Sequence, residues 1–282
     1  IAKLLQARGL NVTAIKIDPY INVDAGTMNP TEHGEVFVLK DGLETDQDMG
    51  NYERFLNIDL PANNYMTTGS VYQSVIEKER NLGYDGRNVQ VVPDIPLEVI
   101  RRLKKAGQQA RADVVITEIG GTIGEYENIL FVEAVRMMKS EMPQQVGVVM
   151  VSYLPVPGSI GEMKTKPTQH AARTLGSTGV FADIIIARSR LPVDKKRKAK
   201  IATFCNVRPE NVISASDVES IYDIPLNFEK DHLSDRLCQM LDLSCSRKID
   251  LKDWKAFVRK SKKTKGIVNI AVVGKYFNSG DF

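Results

Sequence analysis

Residues 112–127, Ala-Asp-Val-Val-Ile-Thr-Glu-Ile-Gly-Gly-Thr-Ile-Gly-Glu-Tyr-Glu, constrain the fold more than any other stretch. Val114, Val115, Ile116 and Ile119, around Thr117 and Glu118, fit a strand covered on both faces, as in a parallel sheet. Such a run ends in an acid only when the acid has a role at the sheet's C-terminal edge, where open α/β sheets bind ligands. Gly120, Gly121 and Gly124 then let backbone approach a bulky anion closely. A carboxylate at a strand end beside glycines points to magnesium and nucleotide phosphate.

The remaining pattern is α/β. Strands are expected at Asn11–Ile17, Glu35–Leu39, Val89–Val92, 114–119, 146–151 and 183–187. Helices are expected at the start (Ile1 to Leu10, stopped by Gly9), at 51–60, 69–80, 96–106 and 128–139, and from about 167 to 175. This alternation implies a doubly wound, mainly parallel sheet. Residues 192–225 read as a further α/β segment, and 226–265, with Trp254 and a lysine-rich end, as a helical linker. Ile267-Val-Asn-Ile-Ala-Val-Val-Gly-Lys-Tyr-Phe reads as a fresh strand (267–275) and turn. Ile1 lies inside a helix without an N-cap, so both ends read as cut.

Of 282 residues, 43% are hydrophobic and 26% charged, with a formal charge of +3, which gives no warrant for nucleic-acid or membrane binding. Cys205, Cys238 and Cys245 lack metal-ligand spacing and read as reduced thiols of a cytoplasmic protein. Three histidines (His33, His170, His232) argue against a histidine-built zinc site.

Four polar constellations stand at strand ends or helix starts. Lys16-Ile-Asp-Pro-Tyr20 carries a lysine whose alternation is wrong for a solvent face; it is either a solvated side chain, the usual case for an isolated lysine, or a cation aimed at phosphoryl oxygens. Glu44-Thr-Asp-Gln-Asp-Met-Gly50 has three acids in five residues, either a solvated acidic loop or, with Glu118, part of a magnesium site. Gly161-Glu-Met-Lys-Thr-Lys-Pro-Thr-Gln-His170 sets Lys164, Thr165 and Lys166 at a helix N-terminus, with Pro167 in the first turn. Two lysines there oppose the dipole unless an anion sits between them. In the basic run 195–200, Lys195–Lys198 reads as a solvated turn. Lys200 and Phe204, at i and i+4, could offer a cation to a phosphate and a ring to a base.

These motifs resemble the CTP synthase family. Lys16-Ile-Asp-Pro-Tyr-Ile-Asn-Val-Asp-Ala-Gly-Thr-Met, His33-Gly-Glu-Val-Phe-Val, Gly50-Asn-Tyr-Glu-Arg-Phe, Glu118-Ile-Gly-Gly-Thr-Ile-Gly and Lys164-Thr-Lys-Pro-Thr-Gln-His match it in order. So do Phe204-Cys205-Asn206-Val207 and Ser220-Ile221-Tyr222-Asp223-Ile224-Pro225. The resemblance implies the N-terminal synthetase (amidoligase) domain over 1–225, a P-loop NTPase fold similar to dethiobiotin synthetase, the helical linker over 226–265, and the start of a glutaminase domain over 266–282.

It also implies a reaction: ATP phosphorylates O4 of UTP, and ammonia displaces that phosphate to give CTP. Asp48 and Glu118 would hold Mg2+, Asp48 also facing ATP, and Lys16 would steady the transferring phosphoryl group. Glu125, Tyr126 and Glu127 would contact the pyrimidine nucleotide. Lys164, Thr165, Lys166, Pro167, Thr168, Gln169 and Lys200 would bind the triphosphate of UTP, or of CTP as feedback inhibitor, across a homotetramer interface. Phe204 would lie near a pyrimidine, and Arg188, Ser216, Asp217 and Val218 near the adenine of ATP. Filaments of tetramers are a further expected assembly.

The sequence departs from the family in three places. The family's glycine-rich P-loop would precede Ile1, Glu125 stands where the family has Asp or a similar residue, and the cysteine nucleophile that frees ammonia from glutamine is absent. By itself the chain is therefore expected to be poorly active or inactive. Two other readings stay open: an ATPase or kinase of the same superfamily with another acceptor, and a non-catalytic assembly fragment.

Overall fold

The computed structural model describes residues 1–29, 36–158, 161–245, 248–263 and 266–273. They fall into two compact units, Ile1–Asn11 with Gly121–Leu251, and Val12–Gly120 with Lys252–Phe282.

The second unit is built on β1 (Val12–Asp18), all seven residues of which are buried. It lies between β4 (Tyr65–Thr67) and β5 (Val114–Ile119), parallel to both. Val12, Ala14, Ile15 and Ile17 supply the apolar cover such a central strand needs. A short antiparallel pair, β2 (Val36–Val38) and β3 (Glu44–Asp46), follows β1. Glu35, expected in that first strand, lies outside the described residues.

The helix α1 (Ala2–Gln6) belongs to the first unit, and Gly9 stops it at φ +85. In the second unit α2 (Asp48–Leu56) ends earlier than expected, because Asn57 adopts the left-handed conformation at φ 57. Next, α3 (Thr68–Arg80) opens with a reciprocal cap between Thr67 and Ser70.

Val89–Val92 does not form a strand. Val91 begins α4 (Val91–Gln109), where the Asp94 carboxylate accepts the Gln90 N–H at 2.8 Å and pairs with Arg87. Val92 keeps extended angles (φ −118, ψ 125) before Pro93, so α4 is kinked there and its regular helix follows the proline; no strand of the described residues pairs with Val89–Val92 to make a ladder. Ile95, Val99, Leu103 and Ala106 make the buried stripe of α4.

In the first unit β6 (Val149–Tyr153), β7 (Ile184–Ser189) and β8 (Val212–Ser216) form a second parallel sheet in that order. The α/β class with parallel sheets holds, and the hydrogen bonding gives two three-stranded ladders. β6 starts later than expected because Val146 O accepts from Lys139 Nζ and Val148 N donates to Asp183 Oδ2, so these residues serve side chains before the ladder begins. The helices α5 (Ile129–Glu141), α6 (Lys166–Ser177) and α7 (Lys195–Cys205) accompany these strands. The core of the unit joins Val132, Met150, Leu154, Leu175, Ile185 and Ile201.

The 226–265 stretch is helical in pieces. α8 (Ile224–Glu229) and α9 (Leu233–Met240) belong to the first unit, and α10 (Lys252–Ser261) to the second. Trp254 of α10 packs on Phe55 of α2 at a ring separation of 5.4 Å. Residues 267–273 form no strand, since none of them finds a ladder partner among the described residues, and 274–275 lie outside those residues. No helix of the described residues is long and apolar enough to cross a membrane.

Two further expectations are corrected. Lys195–Lys198 is the first turn of α7 and not a free turn: Asp194 caps it by accepting the Arg197 N–H at 2.8 Å, and Lys198 pairs with Asp231 at 2.6 Å, while Lys195 and Lys196 are solvent-exposed as expected. The cysteines are not all thiols. Cys238 and Cys245 are joined in a disulfide with Cα atoms 6.1 Å apart, while Cys205 is free and buried. A turn after α9, with Asp242 at φ 48 and Leu243 N bonded to Cys238 O, brings the two cysteines together, which spacing alone does not reveal.

Alkylating the unfolded, unreduced chain should add one label by intact mass, at Cys205, and three after reduction; three labels before reduction would refute the disulfide. Truncating fully buried Ile185 to Ala should cost about 2–5 kcal/mol of unfolding free energy by urea denaturation. A loss under about 1 kcal/mol would mean that the β7 core is not close-packed.

Candidate functional site

The polar cluster of the second unit is built around Lys16. The parallel register sets Lys16 beside Tyr65 on β4 and Glu118 on β5. Its ammonium donates to Glu118 Oε1 at 3.1 Å, pairs with Asp48 Oδ2, and lies 3.7 Å from Asp18 Oδ1. Burial works against the charged lysine, but Glu118, Asp48 and Asp18 outweigh it and hold the pKa well above the ordinary lysine value. The charged form is thereby favoured.

Asp48 opens α2, where its N–H donates to Asp46 Oδ1 at 2.8 Å and its charge suits the helix dipole. Burial, with Asp18 and Asp48 nearby, raises the pKa of Asp46. One turn on, Tyr52 donates its hydroxyl to Glu118 Oε2. Burial first, then the Glu118 charge, keeps that phenol protonated. Gly120 closes the strand end: its N–H reaches Ile17 O at 2.8 Å, and a Cβ there would meet Ile17 O and the Pro19 ring at 3.0 Å. The close approach at this glycine is thus to backbone and the Pro19 ring at the end of β1, not to the bulky anion that the sequence suggests.

The structure brings together Lys16, Asp48 and Glu118. It adds Asp18, Tyr20, Tyr52 and Tyr65, which motif reading had not assigned. The available signals were strand alternation, which puts Asp18 on the Lys16 face, and the i, i+4 spacing of Asp48 and Tyr52. Asp48 Oδ2 and Glu118 Oε1 converge on one cation, and paired hard oxygen donors suit a magnesium ion. The donor set fits the metal.

The first unit holds the other predicted residues. Lys166 is the first residue of α6, Pro167 the second, and Thr165 stands at the N-cap without a side-chain cap bond. Lys164 and Lys166 line a cavity of about 580 Å³ with Glu162, Met163, Thr165, Lys196, Arg197 and Lys200. Five of those eight residues are basic, gathered from the N-terminal parts of α6 and α7. Cations at positive helix ends are unfavourable without an anion, so this cavity suits a polyanion. Lys196 and Arg197 came from the run read as a solvated turn. Glu162 is the cavity's one acid, pairing with Lys164 at 2.8 Å.

The rest of that motif serves structure as well. Gln169 donates to Thr165 Oγ1 at 3.1 Å, and Thr168 is fully buried with its hydroxyl 2.9 Å from Ser152 Oγ. Phe204 is exposed one turn beyond Lys200 on α7. Arg188 is the penultimate residue of β7 and Ser216 the last of neighbouring β8, and the Asp217 N–H donates to Ser189 O at 3.1 Å. Val218 follows, half-buried. Glu125 closes its own turn by accepting the Thr122 N–H at 2.8 Å, and Tyr126 and Glu127 are exposed beside it.

Comparison with known proteins follows the same motifs. The family described as CTP synthase N-terminus matches residues 1–243. A CTP synthase of Halalkalibacterium halodurans is 47% identical over 281 residues, 98% of this chain and 52% of that protein. CTP synthases of Methanococcus maripaludis and Geobacillus kaustophilus are 47% and 46% identical over the whole chain, which covers 52% and 53% of each. The chain spans about half the length of these curated relatives. With a parallel α/β fold, a buried lysine between two carboxylates and a basic cavity at two helix ends, the chain belongs to the CTP synthase family.

Proposed function

We propose that the protein takes part in the ATP-dependent amination of UTP to CTP, a carbon–nitrogen ligation. The buried Lys16 held between Asp48 and Glu118 carries this reading. Phosphoryl transfer needs positioned charge more than a nucleophilic side chain, and this cluster supplies a fixed cation beside two metal-type carboxylates. Asp48 and Glu118 would hold magnesium, which when bound neutralises charge on the phosphates of ATP. Lys16 then steadies the phosphoryl group as it passes to O4 of the uracil ring. Ammonia, supplied in the full-length enzyme by a glutaminase domain, displaces that phosphate.

The basic cavity separates this reading from a kinase with another acceptor. A small acceptor gives no reason to gather Lys164, Lys166, Lys196, Arg197 and Lys200, whereas a triphosphate needs several cations. UTP as substrate, or CTP as inhibitor, would place its phosphates there, in an assembly in which neighbouring subunits of a tetramer complete the site. Glu125, Tyr126, Glu127 and Phe204 would meet the pyrimidine nucleotide, and Arg188, Ser216, Asp217 and Val218 the adenine of ATP.

In the full-length protein, with ATP, UTP, magnesium and ammonium, Lys16→Ala should lower kcat for CTP formation by about 10²–10³-fold. Turnover within about threefold of wild type would remove Lys16 from the reaction. Lys200→Ala or Lys164→Ala should raise KM for UTP by about 10–100-fold, with little change in KM for ATP. If the ATP constant moves and the UTP constant does not, the cavity serves the other nucleotide.

A further inference from the structure

Lys16 has three acidic neighbours, and they differ in exposure. The side chains of Asp48 and Glu118 are 35% and 49% exposed, so both can turn toward a ligand at the sheet edge, whereas that of Asp18 is only 7% exposed. Asp18 follows Lys16 by two residues on β1, so strand alternation places both side chains on one face. One carboxylate oxygen, Oδ1, lies 3.7 Å from the ammonium. The other, Oδ2, is 2.8 Å from the Tyr65 hydroxyl and 3.0 Å from that of Tyr20.

The two phenols are themselves 2.6 Å apart. Two phenolic protons thus serve three oxygen–oxygen contacts, a closed triangle that leaves Asp18 little freedom. Burial, together with the Asp18 charge, keeps both phenols protonated as donors. Tyr65 is also fixed from its own side, since it faces Lys16 across the β1–β4 ladder.

We propose that Asp18, locked by Tyr65 and Tyr20, is a positioning residue that keeps the Lys16 ammonium aimed at the transferring phosphoryl group while Asp48 and Glu118 are committed to metal. This rests on the reading of Lys16, Asp48 and Glu118 given above. A lysine stem is flexible, with four rotatable bonds, and a cation whose only partners were drawn off to a metal would lose its aim. An anchored carboxylate on the same strand face prevents that loss. Misplacement of a charged group by about 1 Å can cost about 10²-fold in rate.

The test uses the full-length protein. Asp18→Asn keeps the shape and removes the charge; it should lower kcat by about 10–100-fold while KM for UTP, KM for ATP and the magnesium midpoint stay within about threefold. Tyr65→Phe removes one anchor and should lower kcat by about 3–10-fold in the same pattern, without loss of the thermal transition; it carries the test alone if Asp18→Asn does not fold. In a Lys16→Ala background, both changes should have almost no further effect, because Asp18 acts through the lysine.

Full additivity with Lys16→Ala, unchanged kcat in the folded variants, or a magnesium midpoint that moves with kcat would each overturn the proposal. Glu118→Gln serves as the reference and should shift the magnesium midpoint. If it does not, the metal assignment fails, while a kcat-only loss in Tyr65→Phe that vanishes in the Lys16→Ala background still supports the positioning of Lys16.

Discussion

The second unit depends on one buried charge. Lys16 lies in the middle strand of its sheet, and such a cation is tolerable only because carboxylates surround it. Those carboxylates come from β1, from the start of α2 and from β5. Satisfying one ammonium therefore fixes the relation between three elements distant in sequence. Removing the lysine would leave like charges facing one another, and removing an acid would weaken the hold on the lysine. The same constraint gives the cluster its chemical character, because its more exposed acids stand at the edge and its most buried acid stands behind them.

The first unit solves a different electrostatic problem. Two helices, α6 and α7, begin with basic residues, which the helix dipole disfavours. Nearby acids temper this: Glu162 pairs with Lys164, Asp194 caps α7 and pairs with Arg197, and Asp231 takes Lys198. Lys166, Lys196 and Lys200 still face one cavity with Lys164 and Arg197. Basic residues thus gather at two helix starts against the local dipole preference, a conflict of the kind expected at binding sites.

Much of this was legible in the chain itself. The strand 114–119 follows from hydrophobic run length, but the expected cover on both faces is not met: only Val114 is buried, because the strand stands at the edge of its ladder. The helix of residues 166–177 follows from Pro167 and its flanking pattern. Lys16 was legible through its wrong alternation. Val91 and Val92 misled because Val92, held extended before Pro93, resembles a strand residue, while no described strand lies beside it to pair with. The disulfide was hidden because pairing requires a turn with Asp242 at positive φ, which no spacing rule encodes. Residues 267–273 are apolar enough for a strand, but a strand exists only where a neighbour offers a ladder.

By itself, then, the sequence determined the parallel α/β class, the motif order that places the chain in its family, and most of the residue types at the two polar clusters, because periodicity and charge at element ends are local properties. Only the tertiary structure decided which acids share Lys16, that Tyr20, Tyr65 and Tyr52 brace those acids, that Lys196 and Arg197 join the basic cavity, and that Cys238 meets Cys245. These depend on strand register, on where each helix begins and on a turn conformation. Such relations are set by packing across the chain, and residue identity along it does not specify them.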